Sequence, residues 1–326
     1  MLVDTFGRRH TSLRVSLTDR CNLRCTYCMP AEGMSWLPKP ELLTDDELAR
    51  VLGVAVAEGI TDIRFTGGEP LLRRGLVDIV RRVSTTHPEV MLSLTTNGVG
   101  LARMAQALHA AGLHRVNISL DTLRRDRFAE LTRRARLDEV LAGMAAAQRA
   151  GLTPVKVNAV LMRGINDDEA EDLLEFCLAK GYQLRFIEQM PLDAQHGWRR
   201  ENMVDGREIL DRLARRWTLT PVPRRGSAPA ETFHVDGGPA TVGVIASVTK
   251  PFCGTCDRLR LTADGYLRNC LFAREESDLR EPLRAGGSDA DLATVLRDCV
   301  AAKRAGHGIN DPGFVQPHRS MSVIGG

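Results

Sequence analysis

Short apolar runs alternate with helical stretches along the first two thirds of the 326-residue chain, and this alternation most limits how the chain can fold. The runs are rich in Val, Ile and Leu, and most lie roughly 25 to 40 residues apart, which leaves room for a helix between strands. The predicted strands are Leu13–Leu17, Asp62–Phe65, Met91–Leu94, Arg115–Ser119, Val155–Val160 and Leu184–Ile187. Six such repeats fit an α/β fold with a partial (β/α)6 barrel or an open parallel sheet, and they are too few for an eight-fold barrel.

The segments between these strands carry helix signals. Predicted helices span Asp45–Glu58, Leu71–Val83, Leu101–Ala111, Leu137–Ala150 and Asp168–Lys180. Thr44 precedes three acidic residues and is predicted to cap the first helix. Glycines stand where a helix must end before the next strand, at Gly59, Gly112, Gly151 and Gly181.

The alternation stops after residue 221. The stretch Val222–Ala240 holds Pro, Gly, Arg and Ser and is predicted to be a loop or a domain junction. An apolar run follows over Ala240–Thr249, then a helix within Leu283–Ala305, and a tail without helical period from Gly306. We therefore predict two parts, residues 1–221 with the β/α unit and residues 222–326 as a C-terminal region.

Composition and charge exclude several classes of function. The net charge of +3 is too balanced to indicate a polyanion-binding protein, and 5% aromatic residues are poor material for stacking on single-stranded nucleic acid. No stretch approaches the roughly 18 apolar residues of a membrane span. The first ten residues lack the apolar segment of a secretory signal. We expect a cytoplasmic protein that binds neither nucleic acid nor a membrane.

Three cysteines follow the first predicted strand with the spacing Cys-x3-Cys-x2-Cys, at Cys21, Cys25 and Cys28. Loops after the carboxyl ends of strands are where β/α folds build their sites. Close thiolates suit an iron–sulfur cluster, and a 4Fe–4S cluster held by three of them leaves one iron free for a small molecule. A structural zinc site is the alternative, but it needs a fourth ligand, for which His10 is the candidate.

A second group, Cys253, Cys256 and Cys270, has the spacing Cys-x2-Cys-x13-Cys. A zinc ribbon would need a fourth ligand here too, and Cys299 falls within a predicted helix. A second 4Fe–4S cluster with one free iron is therefore favoured. Cys177 and Cys299 are predicted to be buried thiols.

The first cysteine group resembles the signature of the radical S-adenosylmethionine (SAM) superfamily. The run Thr66-Gly67-Gly68-Glu69-Pro70, directly after the second predicted strand, resembles its Gly-Gly-Glu motif, and two residues without Cβ let a ligand approach the backbone. The resemblance implies a 4Fe–4S cluster on the first cysteine group that cleaves SAM to a 5′-deoxyadenosyl radical. The SAM contacts that it implies are Tyr27, Gly68, Ser119 and Met190.

The segment 242–272 and the final Gly325-Gly326 resemble the branch of this superfamily that cyclises GTP in the first step of molybdenum cofactor biosynthesis. The resemblance covers the whole chain and implies a lyase that converts GTP to 3′,8-cyclo-7,8-dihydro-GTP, with guanine at the free iron of the second 4Fe–4S cluster. The implied GTP contacts are Arg14, Arg64, Thr95, Lys156, Arg185, Arg258, Leu259 and Arg260. The implied catalytic positions are Arg258, Arg260, Gly325 and Gly326.

The same resemblance implies partners beyond GTP. It implies a reductant protein such as a flavodoxin or ferredoxin, and the cyclic pyranopterin monophosphate synthase accessory protein as the next enzyme, and it leaves a homodimer open. One alternative is a radical SAM peptide-modifying enzyme, although such enzymes usually have more cysteines near the C-terminus. Another alternative is a zinc-dependent nucleic-acid-binding protein.

Six arginines around the fourth β/α connection bear on that last alternative: Arg124, Arg125, Arg127, Arg133, Arg134 and Arg136. Asp121, Asp126 and Glu130 lie among them. Mixed signs favour a solvated helix face over a nucleic-acid patch.

Overall fold

The computed structural model describes residues 1–223 and 225–325, and its described strands form one twelve-stranded sheet. The strands of the first half are β1 (Ser12–Ser16), β2 (Asp62–Thr66), β3 (Met91–Thr96), β4 (Arg115–Ser119), β5 (Lys156–Val160) and β6 (Gln183–Ile187). Those of the second half are β7 (Leu219–Pro221), β8 (Glu231–Val235), β9 (Thr241–Ile245), β10 (Arg258–Leu261), β11 (Tyr266–Arg268) and β12 (Ser277–Asp278).

The strand order is β12-β11-β10-β1-β2-β3-β4-β5-β6-β9-β8-β7. Strands β1 to β6 are parallel neighbours in chain order, and β10 and β9 continue the parallel sheet beside β1 and β6. The outer strands β11, β12, β8 and β7 pair antiparallel. The predicted α/β fold with a mostly parallel sheet is therefore confirmed.

Helices connect the parallel strands and cover the sheet: α1 (Asp45–Ala57), α2 (Leu76–Thr86), α3 (Leu101–Ala110), α4 (Arg125–Thr132), α5 (Leu137–Arg149) and α6 (Ala170–Lys180). The C-terminal half adds α7 (Gly206–Leu213), α8 (Arg280–Arg284), α9 (Asp289–Ala301) and α10 (Met321–Ile324). Thr44 caps α1 as predicted, in a capping box with Glu47. None of the described helices is long and apolar enough to cross a membrane.

The main differences from the predicted elements have local causes. The helix predicted from Leu71 begins at Leu76, because Pro70–Leu72 forms a separate 3₁₀ turn. The helix predicted within residues 283–305 is α9, and it begins only at Asp289 because Gly286 adopts a left-handed φ of 84° and Ser288 caps the new helix. The stretch predicted as a loop or a domain junction, 222–240, contains β8, whose side chains are mostly half-buried.

The sheet curves around an interior. Arg14 on β1 and Arg185 on β6 line the same cavity, although five strand spacings separate them. In a flat sheet these strands would lie about 24 Å apart, at about 4.8 Å per spacing. The sheet also continues across residue 221, with β7 and β8 both part of it. The division into residues 1–221 and 222–326 stays a prediction.

Candidate functional site

The two cysteine groups lie at opposite edges of the sheet. Cys21, Cys25 and Cys28 follow the carboxyl end of β1, whereas Cys253 and Cys256 precede the amino end of β10. Because β10 runs parallel to β1, the second group lies at the edge where β1 begins. Cys270 follows β11, which is antiparallel to β10, so the chain returns to that same edge. The interior of the curved sheet therefore lies between the two groups.

The first cysteine loop packs against the Gly-Gly-Glu turn. The backbone N–H of Gly68 donates to the carbonyl oxygen of Thr18 (2.7 Å), and that of Glu69 donates to the carbonyl of Arg20 (2.7 Å). A Cβ at Gly68 would overlap the carbonyl oxygens of Asp19 and Arg20. Gly68 is thus required by the close approach of the cysteine loop, in addition to the ligand access that the sequence suggested.

The Glu69 carboxylate joins this turn to the end of β3. It is fully buried and accepts hydrogen bonds from the backbone N–H of Leu71 (3.0 Å), the Thr96 hydroxyl (2.7 Å) and the backbone N–H of Asn97 (2.7 Å). Burial raises the pKa of Glu69 to about 7. The Asn97 side chain donates to the Asn22 side chain at 2.7 Å, so the loops after β1, β2 and β3 form one network.

Helix α4 supports the other side of the cysteine loop, a role that the sequence reading missed. The backbone N–H groups of Arg24 and Thr26 donate to the carbonyls of Thr132 and Leu131, both at 2.9 Å. Arg133, whose φ of 53° is left-handed, donates to the carbonyls of Arg24 and Met29. Helix α4 has mixed charges and a weak apolar period, so its sequence does not indicate that it packs against the cysteine loop.

The implied SAM contacts lie around the carboxyl edge and the adjacent loops. The Tyr27 hydroxyl donates to Asp121 Oδ2 (2.6 Å), and Asp121 Oδ1 accepts from the backbone N–H of Val160 (2.9 Å). Burial raises the pKa of Asp121 to about 6. Ser119 ends β4, and Met190 packs in a small apolar cluster with Leu192 and Ile324. Their role as SAM contacts stays a prediction.

The first cysteine group fits an iron–sulfur cluster. Burial, and then the negative charges of the neighbouring groups, raise the pKa of Cys25 and Cys28, so three thiolates here need a compensating positive charge. Iron supplies that charge and keeps its thiol ligands deprotonated. Within residues 1–223 and 225–325, no three His, Cys, Asp or Glu side chains converge on the position of a single metal ion. A four-iron cluster binds each cysteine at a different iron and does not require such convergence.

The second cysteine group lines a cavity of about 600 Å³, large enough for a cluster together with part of a ligand. Lys303 is buried and donates to Cys256 Sγ (3.6 Å) and to the carbonyl of Arg258 (2.8 Å). Burial raises the pKa of Cys256, but the charges of Lys303 and Arg258 outweigh it and the net shift is downward. The thiolate form that iron binds is therefore favoured at this position.

A second cavity, of about 540 Å³, opens inside the sheet and is strongly basic. Arg14, Arg64 and Arg258 line it, and Arg260, Arg14 and Arg64 stand side by side on β10, β1 and β2, in register. Like charges directly opposite one another destabilise a sheet unless an anion compensates them. Burial, and then repulsion from neighbouring arginines, lower the pKa of Arg14. Guanidinium groups in such a row suit the oxygens of a polyphosphate.

The remaining implied GTP contacts take different positions. Arg185 is oriented by Asn117 Oδ1 (2.7 Å) and Asn158 Oδ1 (3.0 Å), and Asn117 also reaches the Thr95 hydroxyl (3.4 Å). Lys156 lines the basic cavity beside Arg185. Leu259 is fully buried on the opposite face of β10 from its two arginine neighbours, so only its backbone can face a ligand.

Residues 225–230 form one wall of the basic cavity. The carbonyl of Ser227 accepts a hydrogen bond from Arg258 (2.5 Å). Arg225 and Arg258 both lie over the Phe252 ring, at 4.9 and 4.8 Å from its centroid. This segment, for which the sequence suggested no role, therefore helps to orient one of the implied GTP contacts.

Gly325 reaches the interior at the carboxyl edge. Arg260 donates a hydrogen bond to its carbonyl oxygen, and helix α10 is anchored by a bond from the Met321 N–H to the Leu192 carbonyl (3.0 Å). Gly325 has a φ of 84°, and a Cβ there would overlap the Thr66 hydroxyl. The other implied tail residue, Gly326, lies outside the described residues.

Replacing Gly325 by alanine should lower turnover by about tenfold or more, because the new Cβ displaces the tail beside Arg260. Gly286→Ala is a matched control, since Gly286 has the same φ of 84° but nothing within 4 Å of its Cβ position. The measurement compares steady-state turnover and the unfolding midpoint of the two variants. Equal turnover in both would contradict a role for the tail.

The arginine cluster around α4 is largely paired. Arg125 contacts Asp138, Arg136 contacts Glu139, and Arg127 contacts both Asp168 and Glu169. These pairs support the predicted solvated helix face.

Two family models match the chain. The Radical SAM superfamily model matches residues 15–177, and the Molybdenum Cofactor Synthesis C model matches residues 182–309. The first contains the first cysteine group and the Gly-Gly-Glu motif, and the second contains the second cysteine group.

Curated relatives match along the entire chain. A GTP 3′,8-cyclase of Streptomyces coelicolor is 63% identical over 100% of this chain and 96% of its own length. Proteins of the same name from Mycolicibacterium smegmatis and Paenarthrobacter nicotinovorans are 59% and 54% identical, over 100% of this chain and 92% and 97% of their own lengths.

Solved structures share the fold. SuiB of Streptococcus suis bound to S-adenosylmethionine superposes with a TM-score of 0.59 at 14% identity, over 89% of this chain and 68% of that chain. SuiB bound to its precursor peptide SuiA gives a TM-score of 0.63 at 13% identity, over 91% and 68%. With full-length identities above 50%, two family models and this shared architecture, the chain belongs to the GTP 3′,8-cyclase family of radical SAM enzymes.

Proposed function

We propose that this chain converts GTP to 3′,8-cyclo-7,8-dihydro-GTP, using SAM and two 4Fe–4S clusters, as the first step of molybdenum cofactor biosynthesis. The observation that carries the proposal is the row of three arginines inside the sheet, between two cysteine groups at its opposite edges. A polyanion held at that row lies between a SAM-cleaving site and a second site with room for a guanine base.

Each part of the site has a proposed occupant. Cys21, Cys25 and Cys28 hold the first cluster, and Tyr27, Gly68, Ser119 and Met190 contact SAM. Cys253, Cys256 and Cys270 hold the second cluster. When bound, the first cluster would supply the electron for cleavage of SAM to methionine and a 5′-deoxyadenosyl radical, and that radical would remove the C3′ hydrogen of GTP.

The protein's own groups bind and orient the nucleotide. Arg14 and Arg64, with Arg260 in register beside Arg14, provide planar guanidinium donors for the triphosphate, and Lys156 adds a mobile point charge. Arg185, fixed by two asparagines, keeps its remaining donors pointed in one direction. Donors that are already fixed need little rearrangement when GTP binds. The binding energy can therefore orient the nucleotide with its C3′ atom toward the SAM site.

The finer partner assignments are part of the same proposal. Cleaving SAM and completing the ring consume electrons, so a reductant protein such as a flavodoxin or ferredoxin is required. The product would pass to the cyclic pyranopterin monophosphate synthase accessory protein. The six cysteines proposed as cluster ligands must stay reduced, which supports a reducing compartment such as the cytoplasm.

The decisive experiment uses GTP labelled with deuterium at C3′, because the product is an isomer of GTP and has the same mass. Protein with both clusters is incubated anaerobically with SAM, a reductant and the labelled GTP. We expect 5′-deoxyadenosine that carries one deuterium, formed in proportion to a GTP isomer separable by chromatography. Unlabelled 5′-deoxyadenosine without the isomer would overturn the proposal.

The affinity for GTP should fall as the pH rises through about 8. Burial, and then repulsion from Arg185 and Arg115, lower the pKa of Lys156 to about 8, so its positive charge is present below that pH and lost above it. Between pH 7 and pH 9 the dissociation constant should rise by up to about tenfold. Lys156→Arg keeps its charge and should show a flatter pH profile. Identical profiles for the two proteins would exclude Lys156 as a phosphate contact.

A further inference from the structure

A further arginine, to which the resemblance assigns no role, faces the same side of the sheet as the arginine row. Arg64 on β2 is in register with Ser93 on β3, and Ser93 is in register with Arg115 on β4. Residues in register on parallel strands face the same side of the sheet. Arg115 therefore points to the same interior as Arg14, Arg64 and Arg260, and it lines the basic cavity.

The guanidinium of Arg115 is held at one end and has donors to spare. Its Nη2 contacts Asp62 Oδ2 at 3.0 Å, across the β3 strand that separates them. Asp62 is itself 3.4 Å from the Ser12 hydroxyl. The Nε–H of Arg115 is buried and has no acceptor among the residues that the structure describes.

The Asp62 carboxylate that pairs with Arg115 does not neutralise the positive charge of the cavity. Among the described residues that line it, seven are lysine or arginine and two are aspartate, Asp62 and Asp257. Arg115 also lies within electrostatic range of its neighbours: after burial, repulsion from Arg64 and then Arg115 lowers the pKa of Arg185. An anion entering this cavity meets Arg115 as part of one positive surface.

We propose that Arg115 is a further phosphate-binding residue for the triphosphate of GTP, and that Asp62 is a positioning residue that holds its guanidinium toward the cavity. The inference rests on the proposed function, because it needs a polyphosphate nucleotide in this cavity. It adds a phosphate contact on β4, a strand to which the resemblance assigned no GTP contact.

Replacing Arg115 alone by alanine would change GTP binding in two ways that cannot be separated. Arg115→Ala removes a donor, but it also leaves the Asp62 carboxylate unpaired in the cavity, where it would repel GTP. The experiment therefore compares Asp62→Asn with the double variant Asp62→Asn/Arg115→Ala. Dissociation constants for GTP are measured anaerobically on protein that carries both clusters.

If Arg115 binds phosphate, the double variant should bind GTP about tenfold more weakly than Asp62→Asn, which corresponds to losing one charged hydrogen-bonding partner. Guanosine, which has no phosphate, should bind both variants equally. Equal GTP affinity for the two variants would overturn the inference and show that Arg115 only neutralises Asp62. A wild-type protein that fails to bind GTP would instead overturn the proposed function.

Two further variants keep the test informative if the double variant does not fold. Arg115→Lys preserves the charge opposite Asp62 but loses the planar donors, so it should bind GTP more weakly than wild type if the guanidinium contacts phosphate. Full wild-type affinity in Arg115→Lys would contradict the inference. Arg149→Ala, which removes an exposed arginine on α5 away from the cavity, is the control for net charge and should leave GTP affinity unchanged.

Discussion

Replacement of Cys28 by serine should reduce the rate of 5′-deoxyadenosine formation by more than about 100-fold. Even the loss of a group that only supports a metal ligand typically lowers metal affinity or activity by about 10- to 100-fold. A serine hydroxyl is a hard and weakly acidic ligand that does not replace a thiolate on iron. Cys28 is half-buried in the loop after β1, and the cysteines outside its group are the buried Cys177 and Cys299 and the second group at the opposite edge of the sheet. Anaerobic SAM cleavage assays, with reductant, measure the loss.

The iron content of the same variant separates the two clusters. Wild-type protein should hold about eight irons, and Cys28→Ser about four, because the second cysteine group lies at the opposite edge of the sheet. Cys177→Ala is the control, as Cys177 is a buried core thiol on α6 and should keep both clusters. Unchanged SAM cleavage in Cys28→Ser would remove the first cysteine group from the active site.

Replacing Gly68 by alanine should also abolish SAM cleavage, and it should lower the free energy of unfolding by about 1 to 3 kcal/mol. The added Cβ would overlap the carbonyls of Asp19 and Arg20, which are backbone atoms that cannot rotate away. The cysteine loop and the Gly-Gly-Glu turn must separate to relieve that overlap, and the hydrogen bonds from Gly68 and Glu69 would then break. Denaturant unfolding and iron analysis of the first site measure the two effects.

The matched control is Gly53→Ala in the middle of α1. A Cβ at Gly53 meets only the His87 ring at 3.6 Å, an ordinary contact, and alanine favours a helix over glycine by about 1 kcal/mol. This variant should be as stable as wild type or more stable, with full SAM cleavage. Equal stability and equal SAM cleavage in Gly68→Ala and Gly53→Ala would show that the close contact between Gly68 and the cysteine loop is not required.

Much of the candidate site was predictable because its residues come from strand ends and tight motifs. The strand Arg115–Ser119 has the predicted limits, and the alternation of Arg258 and Arg260 about Leu259 is confirmed, with the leucine buried in the core. Spacing within one loop needs no knowledge of distant contacts, so local sequence carries that information.

Helix α4 shows where local reasoning failed. Its eight residues contain few apolar positions, and the contacts of residues 131–133 with the cysteine loop join segments more than one hundred positions apart. The role of Arg133 cannot be recognised from its sequence neighbours, because the carbonyl groups to which it donates come near it only when the chain folds.

The amino-acid sequence by itself determined the alternating strands and helices, the two sets of three cysteines and the basic character of individual strands, because each is a property of neighbouring residues. Only the tertiary structure decided that β10 pairs with β1, which aligns Arg260 with Arg14 and places the second cysteine group opposite the first. Strand pairing depends on the summed burial and hydrogen bonding of the whole sheet. For that reason the arginine row, its extension to Arg115 and the position of Gly325 beside Arg260 emerge only from the folded chain.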